Sequence, residues 1–477
     1  MNTTNKLKTI ASLTLLLVAG HLSAQNLQQK LQTAFTKFQQ DSQCKYASVS
    51  LTVLDAKTGE QVFTANPDMG LAPGSTMKAI TSVTALNVLG KDYKFKTQFS
   101  YRGTIAADGT LTGDIITRGY GDPTLGSWRW ETTRDNYILN QMVTALRKAG
   151  IKKVNGRVIG DDSYYGTQAI PDGWIYQDLG TYYGAGASAL CWHENQFSIK
   201  LRTGEVNTPI KVAGTSPEMP YLAFKSELVN GEAKTGDQAY PYLPAINSNV
   251  MYLRGTYAVD QTKNKIDAAI PDPAFDLAYH LTDTLKRLGI TVSDAPESAA
   301  TLRNKSQPVP QSTTQLLTIN SPALSSILYW QNHISINLYA EQLLLAVIPS
   351  PGMLATTTTN GVKTLQDFWV KKAGIDKNTL NVFDGSGLSP ENRVTTLTMA
   401  RIMQSAAKET WYKDFYESLP VYNDMRMKSG SINSAQAYTG YQTYQGRNLC
   451  FAIIVNNYNG TGRGIREKMF KVLNEMK

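Results

Sequence analysis

"APGSTMKAI", Ala72 to Ile80, places a serine three residues ahead of a lysine, just behind a Pro-Gly turn. From Ser75 to Leu89 the chain is rich in Ala, Met, Leu and Val, and it meets no breaker before Gly90. Met77, Ile80, Thr84 and Val88 recur at helical spacing, which predicts a helix with Ser75 at or near its N-terminus. Side chains three apart on a helix share a face. A lysine held there can take the hydroxyl proton once burial or a neighbouring cation depresses its pKa. The helix N-terminus favours the negative charge that then forms. The pair alone is a weak signal, because Ser-x-x-Lys also occurs at Ser42/Lys45 and Ser405/Lys408.

Order along the chain discriminates among the copies. Serine acyl-enzymes built on this pair also need a Ser-x-Asn and, on a strand, a Lys-(Ser/Thr)-Gly. Ser-x-Asn is found at Ser335/Asn337 and Ser431/Asn433, and Lys-(Ser/Thr)-Gly begins at Lys57, Lys234 and Lys428. Requiring the three in series leaves Ser335/Asn337 and Lys428-Ser429-Gly430. Ser42 falls in a polar stretch before the first expected strand, and Ser405 has no usable series after it. Lys57-Thr58-Gly59 reads as a hairpin turn between two β-like runs within 46–66. Lys234-Thr235-Gly236 reads as a loop.

With these residues in place, the sequence resembles the low-molecular-mass class C penicillin-binding proteins, the D-alanyl-D-alanine carboxypeptidase/endopeptidases of peptidase family S13. "DAKTGE", "LAPGSTMK", "GDPTL", "SPALSSIL", "SINLYAEQLL", "DGSGLSPENRVT" and "MKSGSI" follow in that family's order over essentially the whole chain. Ser429 stands where Thr is commoner, and Gly74 is a second conservative departure. The resemblance implies an α+β fold: a penicillin-binding, serine β-lactamase-like transpeptidase domain with an antiparallel sheet flanked by helices, carrying large, mostly-β insertions. The expected layout is a leader at 1–24 and a catalytic domain from 25–98 and 320–477. One inserted domain would comprise 99–198 and 266–319, and another 199–265.

The resemblance also implies the chemistry. Ser75 attacks the carbonyl between two terminal D-alanines and Lys78 is the base. Ser335 shuttles the proton and Lys428 adjusts the potential. Asn337 binds the substrate's peptide carbonyl or holds Lys78. Ser429 and Lys428 suit the substrate's terminal carboxylate, Ser429, Gly430 and Ser431 bind substrate, and the N–H groups of Ser75 and Ser431 form an oxyanion hole. Asp384 and Ser386, in a Gly-rich loop, support the cleft or simply form a turn. The expected partners are peptidoglycan peptides and, as covalent inhibitors, β-lactams. No cofactor is implied. A β-lactamase or a non-catalytic wall-binding protein on the same fold are the rival readings. None of Glu341, Glu391, Glu409 and Glu417 is followed four residues on by the Asn that a class A β-lactamase motif needs.

Composition agrees with an exported protein. Lys6 and Lys8 precede a short apolar run, Ile10 to Gly20, and small residues lead to Ala24, the layout of a cleavable secretory signal. Its loss lowers the net charge from +9 to +7, spread without basic runs. Such a balance suits weak association with cell wall or an anionic membrane surface and gives no case for nucleic acid. The expected location is periplasmic. Three scattered cysteines allow at most one disulfide, and few histidines remain beyond the leader (His193, His280 and His333), which argues against a metal site. "GDPTL" and "GTGRGIR" (460–466) read as turns, and His333 as a helix-end residue.

Overall fold

The computed structural model describes residues 26–477 apart from Ile246 and Met353. The expected signal segment lies outside the described residues. The described chain forms two compact units. The first draws on the chain up to Val83, on Gln366–Val382 and on Pro390–Lys477; the second comprises Thr84–Leu365 and Phe383–Ser389.

The first unit is built on a six-stranded antiparallel sheet. Its spatial order is Val421–Tyr422, Met425–Ile432, Ala435–Tyr444, Arg447–Asn456, Ser48–Asp55 and Gln61–Ala65. The N-terminal hairpin therefore completes a sheet whose other strands come from the C-terminus, with Ser48–Asp55 joining through eight paired residues from Ser48↔Asn456 to Asp55↔Leu449. Side chains alternate across it. Val49, Leu51, Val53, Phe451, Ile453, Val455 and Met427 face a core closed by Leu27, Leu31 and Phe35 of the 26–39 helix and by Ile465, Met469 and Val472 of the Gly462–Leu473 helix. The opposite face meets the Thr396–Ala406 helix, where Thr396 Oγ1 lies 2.6 Å from Ser50 Oγ and 2.9 Å from Thr52 Oγ.

The hairpin expected within 46–66 is present. Its turn is closed by the Asp55 carboxylate, which accepts the N–H groups of Lys57 and Thr58, while Gly59 takes φ +81°. Lys57-Thr58-Gly59 is thus a turn. Lys234-Thr235-Gly236 joins the Ala223–Gly231 and Asp237–Tyr242 strands. "GTGRGIR" enters the last helix with Thr461 as its cap.

The second unit centres on a seven-stranded mixed sheet assembled from segments within 96–161 and 291–320. Two helices cover it, Asp135–Lys148 and Pro273–Arg287. In the first, Ile138, Leu139, Met142, Val143 and Leu146 are buried on one helical face. Two further three-stranded sheets, one of Gln196–Arg202, Lys211–Ser216 and Lys265–Ala269, the other of Ala223–Gly231, Asp237–Tyr242 and Val250–Ala258, enclose a separate small core around Ile199, Leu228, Met251 and Leu253.

The apolar stretch 322–348 forms two helices, Leu324–His333 and Asn337–Ala346. The break falls at Ser335, whose φ of +62° a helix cannot contain. "GDPTL" is a turn in which Asp122 accepts from the N–H and hydroxyl of Thr124. All three cysteines are buried and free, so the one disulfide that composition allowed does not form. No helix among the described residues is long and apolar enough to cross a membrane.

Candidate active site

Ser75 sits in a single tight turn, Gly74–Thr76, that runs directly into the Met77–Leu89 helix. Thr76 Oγ1 donates to Pro73 O at 2.7 Å, and the Met77 N–H closes the turn onto the Gly74 and Ser75 carbonyls. The helix is apolar on nearly every side: Met77, Ala79, Ile80, Val83, Ala85 and Leu86 are all buried, and only toward its end does Val88 reach solvent. Burying such a helix buries Lys78 with it. The lysine is 0 % exposed, and its Nζ donates to Ser75 Oγ at 2.9 Å. The nucleophile–amine pair proposed from the sequence is therefore formed, with the hydroxyl partly exposed and the amine enclosed.

Of the other two Ser-x-x-Lys copies, Ser42 lies exposed in a short 3-10 turn. Lys408 is exposed beyond the end of its helix.

Lys428 reaches the same region from the sheet. Met427 points into the apolar core, so Lys428 must point to the opposite face, in line with Thr439 and Ala452 on the adjoining strands. It is 1 % exposed and donates from Nζ to Ser429 O at 2.9 Å. Burial, and after it the Lys78 ammonium, hold Lys428 well below the usual lysine range. Repulsion between two buried ammoniums is mutual, so a proton on either disfavours a proton on the other.

The nucleophile turn and this strand approach so closely that glycine is required on both sides. A Cβ on Gly430 would stand 2.3 Å from Pro73 O and 2.9 Å from Ser75 N. Gly74, at φ +50°, would bring a Cβ within 2.9 Å of Ser431 N. The departure at Gly74 noted in the sequence is thus a backbone requirement of this contact. Ser75, Lys78, Lys428, Ser429, Gly430 and Ser431 form one constellation within the first unit.

Ser335, Asn337, Asp384 and Ser386 belong to the second unit. Ser335 occupies the left-handed break between two helices, a conformation costing a non-glycine residue roughly 1–2 kcal/mol. Asn337 opens the following helix and donates from Nδ2 to Tyr183 O at 2.7 Å. One turn later Glu341 accepts the N–H groups of Gly385 and Ser386 at 3.0 and 2.8 Å. Asp384 accepts from Gly387 N, from Ser389 N and, at 2.9 Å, from Trp174 Nε1. Asp384 and Ser386 are fully buried, and Ser386 Oγ accepts the Leu388 N–H of the same loop.

Sequence reasoning had considered Glu341 only as a water-activating base and had not singled out Trp174 or Tyr183. The spacing of Asn337 and Glu341, four apart on one helix face, was the available signal. His333 ends its helix stacked on Tyr329 with ring centroids 3.9 Å apart.

The comparisons agree with this geometry. The model of the D-Ala-D-Ala carboxypeptidase 3 (S13) family matches residues 29–476. A D-alanyl-D-alanine carboxypeptidase of Actinomadura is 25% identical over 450 residues, covering 88% of this chain and 80% of the relative. The D-alanyl-D-alanine carboxypeptidase DacB of Haemophilus influenzae is 23% identical over 413 residues, covering 81% and 80%. The crystal structure of penicillin binding protein 4 from Haemophilus influenzae shares the fold, with a TM-score of 0.76 at 20% identity over 92% of this chain and 98% of that one. A match along nearly the whole described chain, over a lysine-paired serine at a helix start, settles the family: the chain belongs to the D-Ala-D-Ala carboxypeptidase 3 (S13) family.

Proposed function

We propose that Ser75 is the acylated residue of this D-alanyl-D-alanine carboxypeptidase and that Lys78 takes its proton. The observation that carries the reading is the 2.9 Å contact from a fully buried Lys78 amine to Ser75 Oγ. A neutral amine there accepts the hydroxyl proton as Oγ bonds to the carbonyl carbon between the two terminal D-alanines. The C–N bond then breaks, the leaving nitrogen takes up the proton, and D-alanine departs. Water hydrolyses the remaining ester. The close approach of the Ser75 turn to Gly430 and Ser431 supports an oxyanion hole from the N–H groups of Ser75 and Ser431. Such donors contribute roughly 3–4 kcal/mol each to comparable transition states.

Lys428 adjusts the local potential by sharing the buried site with Lys78, where the two amines cannot both hold their protons firmly, and with Ser429 it suits the substrate's terminal carboxylate. Ser335 as proton shuttle and Asn337 as carbonyl ligand or Lys78 anchor rest on the order of the motifs. Asp384 and Ser386 act by shaping the loop bound to Glu341 and Trp174. Peptidoglycan stem peptides are the substrate class and β-lactams the covalent inhibitors. Export to the periplasm rests on the leader-like N-terminus, and the inserted segments are read as two domains divided near 199 and 265.

Intact-mass spectrometry after penicillin treatment is the test. Wild type should gain one penicilloyl adduct that Ser75→Ala lacks, and should release D-alanine from a peptide ending in D-Ala-D-Ala. An unmodified wild type, or an adduct that survives in Ser75→Ala, overturns the assignment.

A further inference from the structure

The second unit contains a cavity of about 410 Å³ that neither Ser335 nor Asn337 lines. Its walls are largely apolar, with Ile170, Leu179 and Ile270 among them, and it is bordered by Asp162, Asp272 and Arg303. The two carboxylates are in different states. Asp272 is spent on structure: Oδ1 accepts Phe275 N at 2.9 Å as a helix cap, and Oδ2 accepts Ser298 Oγ at 2.6 Å. Asp162 has a buried Oδ1 with no hydrogen-bond partner. Buried carboxylate oxygens are normally satisfied, so one left open in a cavity wall asks for a donor. Arg303, exposed at the same cavity, forms no ion pair among the described residues. A volume of this size falls in the range that holds small-molecule ligands.

We propose that this cavity binds a short free peptide, its ammonium bonded to Asp162, its carboxylate at Arg303 and its side chains against the apolar wall. The proposal is independent of the Ser75 chemistry. The electrostatics support it: burial foremost, with the charges of Asp272 and Asp161 acting the same way and Arg303 against them, pushes Asp162 up to about 7. The remaining titratable group on the wall is Tyr176. An ammonium ligand would favour the ionised form, so affinity should rise as pH passes upward through that value.

Calorimetric titration of the full chain with alanyl-leucine tests this, alongside its N-acetyl and C-terminal amide forms. Saturable binding at millimolar concentrations is expected, weakened about tenfold or more by N-acetylation, by Asp162→Asn and by Arg303→Ala. It should also weaken on moving from about one unit above to about one unit below the Asp162 value. Absence of saturable binding by the free dipeptide overturns the proposal. So does equal binding of the N-acetyl form by wild type, a comparison that needs no variant to fold.

Discussion

Two groups of cations, one arginine and one pair of lysines, show opposite ways of living with little water. In the second unit Arg129 grips Glu194 through two bonds, Nε to Oε1 at 2.7 Å and Nη2 to Oε2 at 2.9 Å. Ser127 Oγ and Tyr339 Oη add further donors to Oε1 at 2.6 and 2.7 Å. The guanidinium also lies over the rings of Trp128 and Trp330. Every charge there meets its opposite, and the pair is a structural anchor. In the first unit two lysines are buried with like charge beside like charge, and one is held well below its ordinary range in consequence. A satisfied pair resists change, whereas two amines buried side by side cannot both hold their protons firmly, and a site that holds one proton between them keeps a neutral amine able to accept another.

This contrast can be broken by mutation. Lys78→Met should lower the acylation rate by ~10³-fold or more, as loss of an essential proton acceptor does. Its folding stability should be unchanged or raised, because one buried charge is gone. A stopped-flow acylation assay and a urea melt together decide it, and a large loss of stability would contradict the frustrated-pair reading.

Glu194→Ala is the mirror experiment. It leaves Arg129 buried and uncompensated and should cost about 3–5 kcal/mol of stability. A urea midpoint within error of wild type would show that the pair anchors nothing.

Smaller effects sharpen the picture. Gly430→Ala forces a Cβ against the Pro73 carbonyl and should cost about 1–3 kcal/mol by displacing the strand from the nucleophile turn. Acylation should fall with it, while overall secondary structure by circular dichroism stays intact. The pH dependence should then shift in a definite direction. Lys428 has a depressed pKa in the folded state, so the unfolded chain binds more protons between that value and the ordinary lysine value. Its contribution to stability therefore rises with pH across that window and is least below it. For activity, removing the Lys428 charge makes the remaining amine hold its proton more tightly. Lys428→Met should therefore move the acid limb of the acylation profile upward. An unmoved or lowered limb would mean that the two amines do not interact.

Much of the first unit was legible because its signals are local. The hairpin alternation of 46–66, the breaker-free run after Ser75 and the long apolar strand before Asn456 each follow from periods of two or 3.6 residues. The Asp135–Lys148 helix was readable by the same rule, but it was masked by the turn-rich stretches around it. The Thr358–Ala373 helix is harder, because it begins in a run of β-branched threonines and a glycine. The break at Ser335 could not be read from periodicity, since the apolar pattern continues through it.

By itself, the amino-acid sequence determined the order of the motifs on which the proposed chemistry rests, because motif identity and order survive without coordinates: Ser75 and Lys78, then Ser335 and Asn337, then Lys428 to Gly430. It also indicated a helix opening at Ser75, from the breaker-free run to Leu89. Only the tertiary structure decided that Lys78 and Lys428 are buried together, since a helix and a strand 350 residues apart in the chain meet only when the sheet is assembled. It likewise decided that Gly74 and Gly430 serve close backbone approach, and that Glu341 spends its carboxylate on a loop. Burial, like-charge proximity and the partner of a hydrogen bond are properties of packed neighbours, which sequence spacing does not encode.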